Sequence, residues 1–282
     1  MAIVTIFFWA ANYPATRYVL PYYSAVSISV FRILTAAAVL IVVGVVKKIR
    51  LPYKRDLPKI VFGGFLGIFL FNIFFSIGAE NVVSGVGSFI INSAPIFALI
   101  MSRLFLKEIV KPACWIGVIL SFCGLVTVML SQTAGFSFSR GVIILLLAAN
   151  ATSAYNVILR SLLKTYTYFE TAAYCVTTAA VFFLTLIPFI IRDLPASPPL
   201  SASLVVVLSG VFATGLAYLT WGYAMSKAEK TAHITVFMYL TPFIASLIGY
   251  LWLGDTMTTW ALLGGFVIIA GMLLTNTLGK SQ

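Results

Sequence analysis

Ten apolar runs, each close to 20 residues, follow one another along almost the whole chain, separated by short polar connections. A stretch of ~20 apolar residues is the length that carries a helix across a bilayer. The runs lie at residues 2–20, 24–46, 58–78, 82–105, 112–131, 140–160, 168–191, 203–225, 231–252 and 258–278. They are continuous rather than alternating, which excludes a β-barrel. Composition closes the soluble alternative. Hydrophobic residues make up 61% and charged residues 9%, against about 45–50% and about 25% in soluble domains. There is too little charge to cover a water-exposed surface. The expected fold is an all-α integral membrane protein with ten transmembrane helices.

Charge placement supports that count. Of 18 Lys and Arg residues, fourteen fall on one side when the ten runs are threaded back and forth. They include Lys47, Arg50, Lys59, Arg103, Lys107, Arg160, Lys227 and Lys280. Only Arg140 and Arg192 fall on the other side, and Arg17 and Arg32 lie within runs. Positive loops stay in the cytoplasm, so both termini are expected there, in a multi-pass inner membrane protein. The net charge of +11 is read as a topology signal and not as a nucleic-acid surface. The lipid bilayer is the expected partner. Met1–Leu20 lacks the basic start and small cleavage residues of a secretory signal. Cys114, Cys123 and Cys175 stand in apolar runs without metal-type or paired spacing, and there is one histidine. No metal, disulfide framework or cofactor is expected.

The chain repeats itself. After Pro95 comes Leu-Phe-Leu-Lys-Glu ending at Glu108, then Gly117 and Gly124. After Pro242 comes Leu-Trp-Leu-Gly-Asp ending at Asp255, then Gly264 and Gly271. The offset is 147 residues for every landmark. Trp9-Ala-Ala-Asn12 is echoed by Leu147-Ala-Ala-Asn150 at an offset of 138. Two five-span repeats are expected, near 1–132 and 138–279, forming a single transport unit. Five is odd, so the second copy enters the membrane upside down. Inverted repeats of this kind are a signature of secondary transporters with a substrate site near the midplane.

Trp9-Ala-Ala-Asn12, the Phe31-Arg32 pair and the twice-used Pro…Leu-x-Leu-x-acid…Gly…Gly pattern are similar to those of the EamA-type carriers of the drug/metabolite transporter superfamily. The resemblance covers essentially the whole chain. It implies ten helices in two inverted five-helix repeats, with the fifth helix of each repeat peripheral. It further implies a carrier resembling bacterial exporters of amino acids, aromatic ones included, and other metabolites. Lys107 departs from the pattern, because these carriers commonly have glycine before the acid.

Polar residues inside a membrane tend to face the bundle interior. Ser84, Ser88, Asn92 and Pro95 share one face of span 4, and Thr231, Thr235, Tyr239 and Pro242 are their counterparts in span 9. A wall of a watered cavity is expected, with small-residue helix packing as the alternative. Pro95 and Pro242 are candidate hinges, or else fixed kinks. Span 1 offers Trp9, Asn12 and Tyr13, and span 6 offers Asn150, Ser153, Tyr155 and Asn156. Span 3 adds Asn72 and Ser76, while span 8 places Thr214, Tyr218 and Trp221 at i, i+4 and i+7. Amides both donate and accept, and aromatic faces attract cations as well as apolar groups. Arg32 is expected as a structural anchor paired with backbone carbonyls, and Arg17 as an interfacial arginine. His233 is expected to pack by hydrogen bonding. Gly117, Gly124, Gly264 and Gly271 are expected to let helices approach closely.

The acids Glu80, Glu108, Glu170, Glu229 and Asp255 lie near span ends, with Asp56 and Asp193 in loops. Without a midplane carboxylate, facilitated transport is expected rather than proton or sodium coupling. No phosphate-binding Gly-x-x-x-x-Gly-Lys loop is present. The chain also lacks the nucleophile or base cluster that a membrane-embedded lipid-modifying enzyme would need. The expected function is a secondary carrier that exports small organic solutes by alternating access, with aromatic amino acids favoured. Other metabolites, nucleosides and cationic drugs are the alternatives.

Overall fold

The computed structural model describes residues 1–80, 84–130, 140–191, 198–253 and 258–277. These residues form ten helices, arranged as two inverted five-helix repeats. In the first repeat α1 is Ala2–Val19, α2 is Ala25–Val46, α3 spans residues 54–80, α4 spans 84–105 and α5 is Pro112–Leu130. In the second, α6 is Arg140–Leu162, α7 spans 168–190, α8 is Leu200–Lys227, α9 spans 232–253 and α10 is Thr259–Thr277. Seven of them are long and apolar enough to cross a bilayer, and Phe89–Phe105 and Tyr168–Leu184 are shorter apolar helices. The 18 residues of α1 complete the ten. Local chemistry sets several boundaries. Ser24 caps α2 by accepting from the Ser27 amide, and Thr167 and Glu170 form a reciprocal capping box at the start of α7.

The tightest packing joins α5 to α10, through the glycines that the repeat pattern singled out. A Cβ on Gly117 would lie 2.6 Å from the Gly271 carbonyl, and one on Gly124 would lie 2.7 Å from that of Gly264. The reciprocal positions are equally closed: Gly264 onto the Gly124 carbonyl at 2.6 Å, and Gly271 onto that of Gly117 at 2.5 Å. Each rise in number on one helix matches a fall on the other, so α5 and α10 run antiparallel. Ser121 Oγ, between the two contacts, donates to the Ile268 carbonyl at 3.2 Å.

Two further contacts obey the same symmetry. Gly64 of α3 sits over the Cys175 carbonyl and Thr178 of α7. Gly210 of α8 sits over the Arg32 carbonyl and Thr35 of α2. Each third helix therefore leans on the second helix of the other repeat. Each also widens into a π-helical segment directly afterwards, Phe65–Leu70 in α3 and Gly210–Leu216 in α8. Such widened turns occur often at functional sites, because they rotate the side chains that follow.

Alanine at Gly124 or at Gly271 should lower stability by about 1–3 kcal/mol, the cost of overfilling a packed interface. Gly87→Ala is the control, since its Cβ would meet only Leu145 at 3.4 Å, an ordinary contact. Thermal unfolding in detergent checks both, with loss expected for the first two variants and none for the third.

Candidate functional site

The face of α8 that carries Thr214, Tyr218 and Trp221 forms the centre of the bundle. Thr214 accepts a hydrogen bond from Nη2 of Arg32 on α2 at 3.3 Å. One turn on, the Tyr218 ring meets Tyr155 of α6 edge to face, with centroids 5.6 Å apart. Next along, Trp221 donates from Nε1 to Oδ1 of Asn156 at 2.8 Å and lies 5.0 Å from the ring of Trp9 on α1. Three successive α8 side chains thus contact α2, α6 and α1. Tyr155 packs over Gly67 in the α3 π segment, where no side chain larger than hydrogen fits. Just past that segment the Asn72 amide donates back to the Ile68 carbonyl at 2.7 Å. Ser76 is buried one turn beyond.

Helices α4 and α9 are interrupted at equivalent places. In α4 the break is a two-residue turn at Asn92 and Ser93, followed by Pro95 in the first turn of Ala94–Phe105. In α9 it is a 3₁₀ turn, Val236–Tyr239, ahead of Pro242. Proline supplies no amide hydrogen, so a regular ladder cannot pass either point. Ser153 of α6 donates to the Ala94 carbonyl at 2.8 Å, which ties the α4 break to the second repeat. Asn92, Thr231, Thr235 and Tyr239 are all buried. These four residues therefore face protein and not lipid. The side chains of Ser84 and Ser88 lie outside the described residues.

The atoms left without partners are instructive. Among buried side-chain nitrogens and oxygens of the described residues, Asn12 Oδ1, Arg32 Nε, Tyr155 OH and Tyr239 OH have none. A buried polar atom without a partner costs roughly 1–3 kcal/mol, and these four belong to α1, α2, α6 and α9.

The remaining expected residues take varied places. Thr231 lies at the end of the bundle that carries the basic residues. Its amide and hydroxyl donate to the Glu108 carboxylate at 2.9 Å each. Asn150 is half-buried and its amide serves its own helix, donating to the Leu146 carbonyl. Trp9 and Tyr13 are half-buried on α1. His233 is buried, with Nε2 3.8 Å from Cys114 Sγ. Arg17 is exposed at the end of α1. Among the described residues Arg32 reaches no backbone carbonyl and rests on the Thr214 hydroxyl instead.

Sequence reading passed over the ties that join the two repeats at the basic face. Arg160 holds the Met225 and Glu229 carbonyls at 2.6 Å each and lies 3.7 Å from Glu108. Arg50 pairs with Glu170 at 3.2 Å and donates to the Thr165 carbonyl. Tyr166 donates to Asp56 at 2.8 Å. Each carboxylate with a cross-repeat partner stands at a span end, Glu108 in the α4–α5 connection and Asp56 and Glu170 in the first turns of α3 and α7, and that position was the available signal. Above these ties a cavity of about 410 Å³ opens between Ala2, Tyr223, Lys227, His233 and Phe237. One turn inward the Thr5 and Thr220 hydroxyls meet at 2.7 Å, and the Trp9–Trp221 pair follows.

Lys107 adopts a positive φ of 54°, the left-handed region that favours glycine. The turn is closed by the Leu106 and Glu108 amides, both on the Ser102 carbonyl. This explains why glycine is the common residue before the acid. The turn itself is kept here despite the lysine.

These features define a class: a polytopic helical membrane protein of inverted repeats with a polar, aromatic centre. The EamA-like transporter family model matches residues 1–130 and 139–277, and the chain belongs to that family. An uncharacterized transporter of Bacillus subtilis, YdfC, is 31% identical over 95% of this chain and 87% of its own length. A probable terminal-alkyne amino-acid exporter of Streptantibioticus cattleyicolor is 29% identical over 99% of this chain and 94% of its own. Among solved structures, one crystal structure is similar in fold with a TM-score of 0.83, covering 99% of this chain and 96% of the other at 21% identity. The protein is thus a transporter of the EamA type.

Lys107→Gly should raise stability by about 1 kcal/mol, the left-handed penalty it removes, with the Glu108–Thr231 contacts retained. Thermal unfolding of the purified variant measures this. A destabilised variant would show that the lysine side chain supports the turn.

Proposed function

We propose that the protein exports amino acids across the inner membrane by alternating access, with aromatic amino acids favoured. The observation that carries this reading is the centre built from Trp9, Tyr155, Tyr218 and Trp221 beside the amide of Asn156. Aromatic faces give apolar contact to a flat side chain and attraction to an ammonium group. Amides and hydroxyls meet both charged groups of an amino acid. The relative named as a probable amino-acid exporter supports the same substrate class.

In this reading both termini are cytoplasmic, because the basic face holds most of the Lys and Arg residues. The repeats 1–132 and 138–279 act as one unit, and solute binds between them. Asn92 and Tyr239 form matched halves of the wall, while the breaks beside Pro95 and Pro242 let each half of α4 and α9 tilt. The described carboxylates with resolved side chains, Asp56, Glu108, Glu170 and Glu229, are tied at the basic face or stand in the α8–α9 connection there. The solute gradient then drives transport, without a proton-carrying acid in the site.

Purified protein in sealed vesicles should give saturable counterflow of labelled phenylalanine. Asn92→Ala and Tyr239→Ala should each cut that counterflow at least tenfold while the protein remains folded, because each removes a wall contact worth ~1.4 kcal/mol or more. Imposing a pH gradient should leave the steady-state level unchanged. Strong accumulation driven by the gradient would contradict the facilitative reading, and non-saturable flux would identify a channel.

A further inference from the structure

Two of the partnerless atoms are chemically complementary. Arg32 Nε can only donate, and Asn12 Oδ1 can only accept. They also lie at one depth. Helices α1 and α8 run antiparallel, with the Thr5 and Thr220 hydroxyls in contact. Seven residues onward from Thr5 is Asn12, and six residues back from Thr220 is Thr214, the residue that holds Arg32. At 1.5 Å per residue both steps travel about 10 Å into the bundle. The donor and the acceptor therefore occupy the same layer, beside the π segment of α8.

The surroundings of Arg32 fit an anion better than a structural tie. Its single side-chain partner among the described residues is a neutral hydroxyl at the long distance of 3.3 Å. The carboxylates that are paired among the described residues are engaged at the basic face. A guanidinium offers a planar fork suited to two parallel bonds with a carboxylate, and here one edge of the fork, through Nε, is unused. Tyr218 stands one turn along α8 from Thr214, which holds Arg32, and its ring meets that of Tyr155. Tyr155 is 3% exposed, and its hydroxyl is also without a partner. A charged side chain within a membrane span is costly and is retained where it meets a polar ligand or pathway.

We propose that Arg32 and Asn12 bind the zwitterionic head of an α-amino acid: Arg32 takes the carboxylate, and Asn12 Oδ1 accepts from the ammonium. The Tyr155 hydroxyl donates a further bond to the carboxylate. The substrate side chain lies along Tyr218 toward Trp9 and Trp221. This assignment rests on the amino-acid reading above and adds residues and a polarity to it. It also moves Arg32 from a structural anchor to a specificity-determining contact.

The test uses the full-length protein in vesicles, with labelled phenylalanine counterflow and three unlabelled competitors. These are phenylalanine, phenethylamine (no carboxylate) and 3-phenylpropionate (no ammonium). On wild type, each truncated analogue should compete about thirtyfold more weakly than phenylalanine, the effect of losing one charge-assisted contact of ~2 kcal/mol. In Arg32→Gln the penalty for phenethylamine should shrink to about threefold or less, as the remaining amide no longer rewards the carboxylate. In Asn12→Leu the penalty for 3-phenylpropionate should shrink likewise. The readout is a ratio between ligands, which a purely structural role would not alter. Equal competition by phenethylamine and phenylalanine on wild type would overturn the proposal, whether or not the variants fold. Arg32→Gln that weakens all three ligands alike would overturn it too. Wild-type counterflow of other solutes but of no amino acid would instead overturn the amino-acid reading itself, and with it this assignment.

Discussion

The antiparallel contact between α5 and α10 is the constraint on which the rest of the architecture depends. Four glycines bring two backbones together there, and the contact closes only when one helix runs opposite to the other. Because α5 and α10 are copies of each other, that contact fixes the second repeat as an inverted version of the first. In a membrane there is little hydrophobic drive between helices, so close packing of small residues has to supply the association. The resemblance implied a peripheral fifth helix. The structure places each fifth helix directly against its copy, where it sets the relation of the two repeats.

The inversion propagates inward. Gly64 and Gly210 seat each third helix on the second helix of the opposite repeat, and both third helices then widen into π segments. The residues that follow the widened turns are Asn72 and Tyr218, both of which face the centre. Symmetry ends at the side chains. Asn72 satisfies its own helix, whereas Tyr218 meets Tyr155 of the first helix of its own repeat. Pseudo-symmetric backbones thus carry an asymmetric lining. At the basic face, Glu108, Arg160 and Thr231 join the repeats, as do Arg50 with Glu170 and Asp56 with Tyr166.

Much of the architecture was legible because bilayer physics leaves strong marks in sequence. Span positions followed from apolar length, and the repeat followed from Pro95 and Pro242 with their acids and glycines. The Thr214–Tyr218–Trp221 face followed from helical spacing. The π segments could not be read, because Phe-Leu-Gly-Ile-Phe-Leu carries no signal against an ordinary helix. Partner identities were hidden as well: Trp221 with Asn156 and Thr5 with Thr220 join residues remote in sequence. Thr231 was grouped with the stripe by spacing, but its depth puts it on Glu108 at the basic end. Lys107, a departure from the glycine pattern, put the local turn in question, and the structure keeps the turn with the lysine in the left-handed region.

Orientation of equivalent positions tests the central claim most directly. Lys111 and Thr258 stand at the heads of α5 and α10, separated by the repeat offset. Single cysteines at these positions, in a background with Cys114, Cys123 and Cys175 replaced by serine, can be labelled in intact cells with an impermeant maleimide. The account predicts labelling of the Thr258→Cys protein from outside, and of the Lys111→Cys protein only after the membrane is opened. Labelling of both from one side would mean that the repeats are parallel, and the antiparallel pairing of α5 with α10 would be wrong.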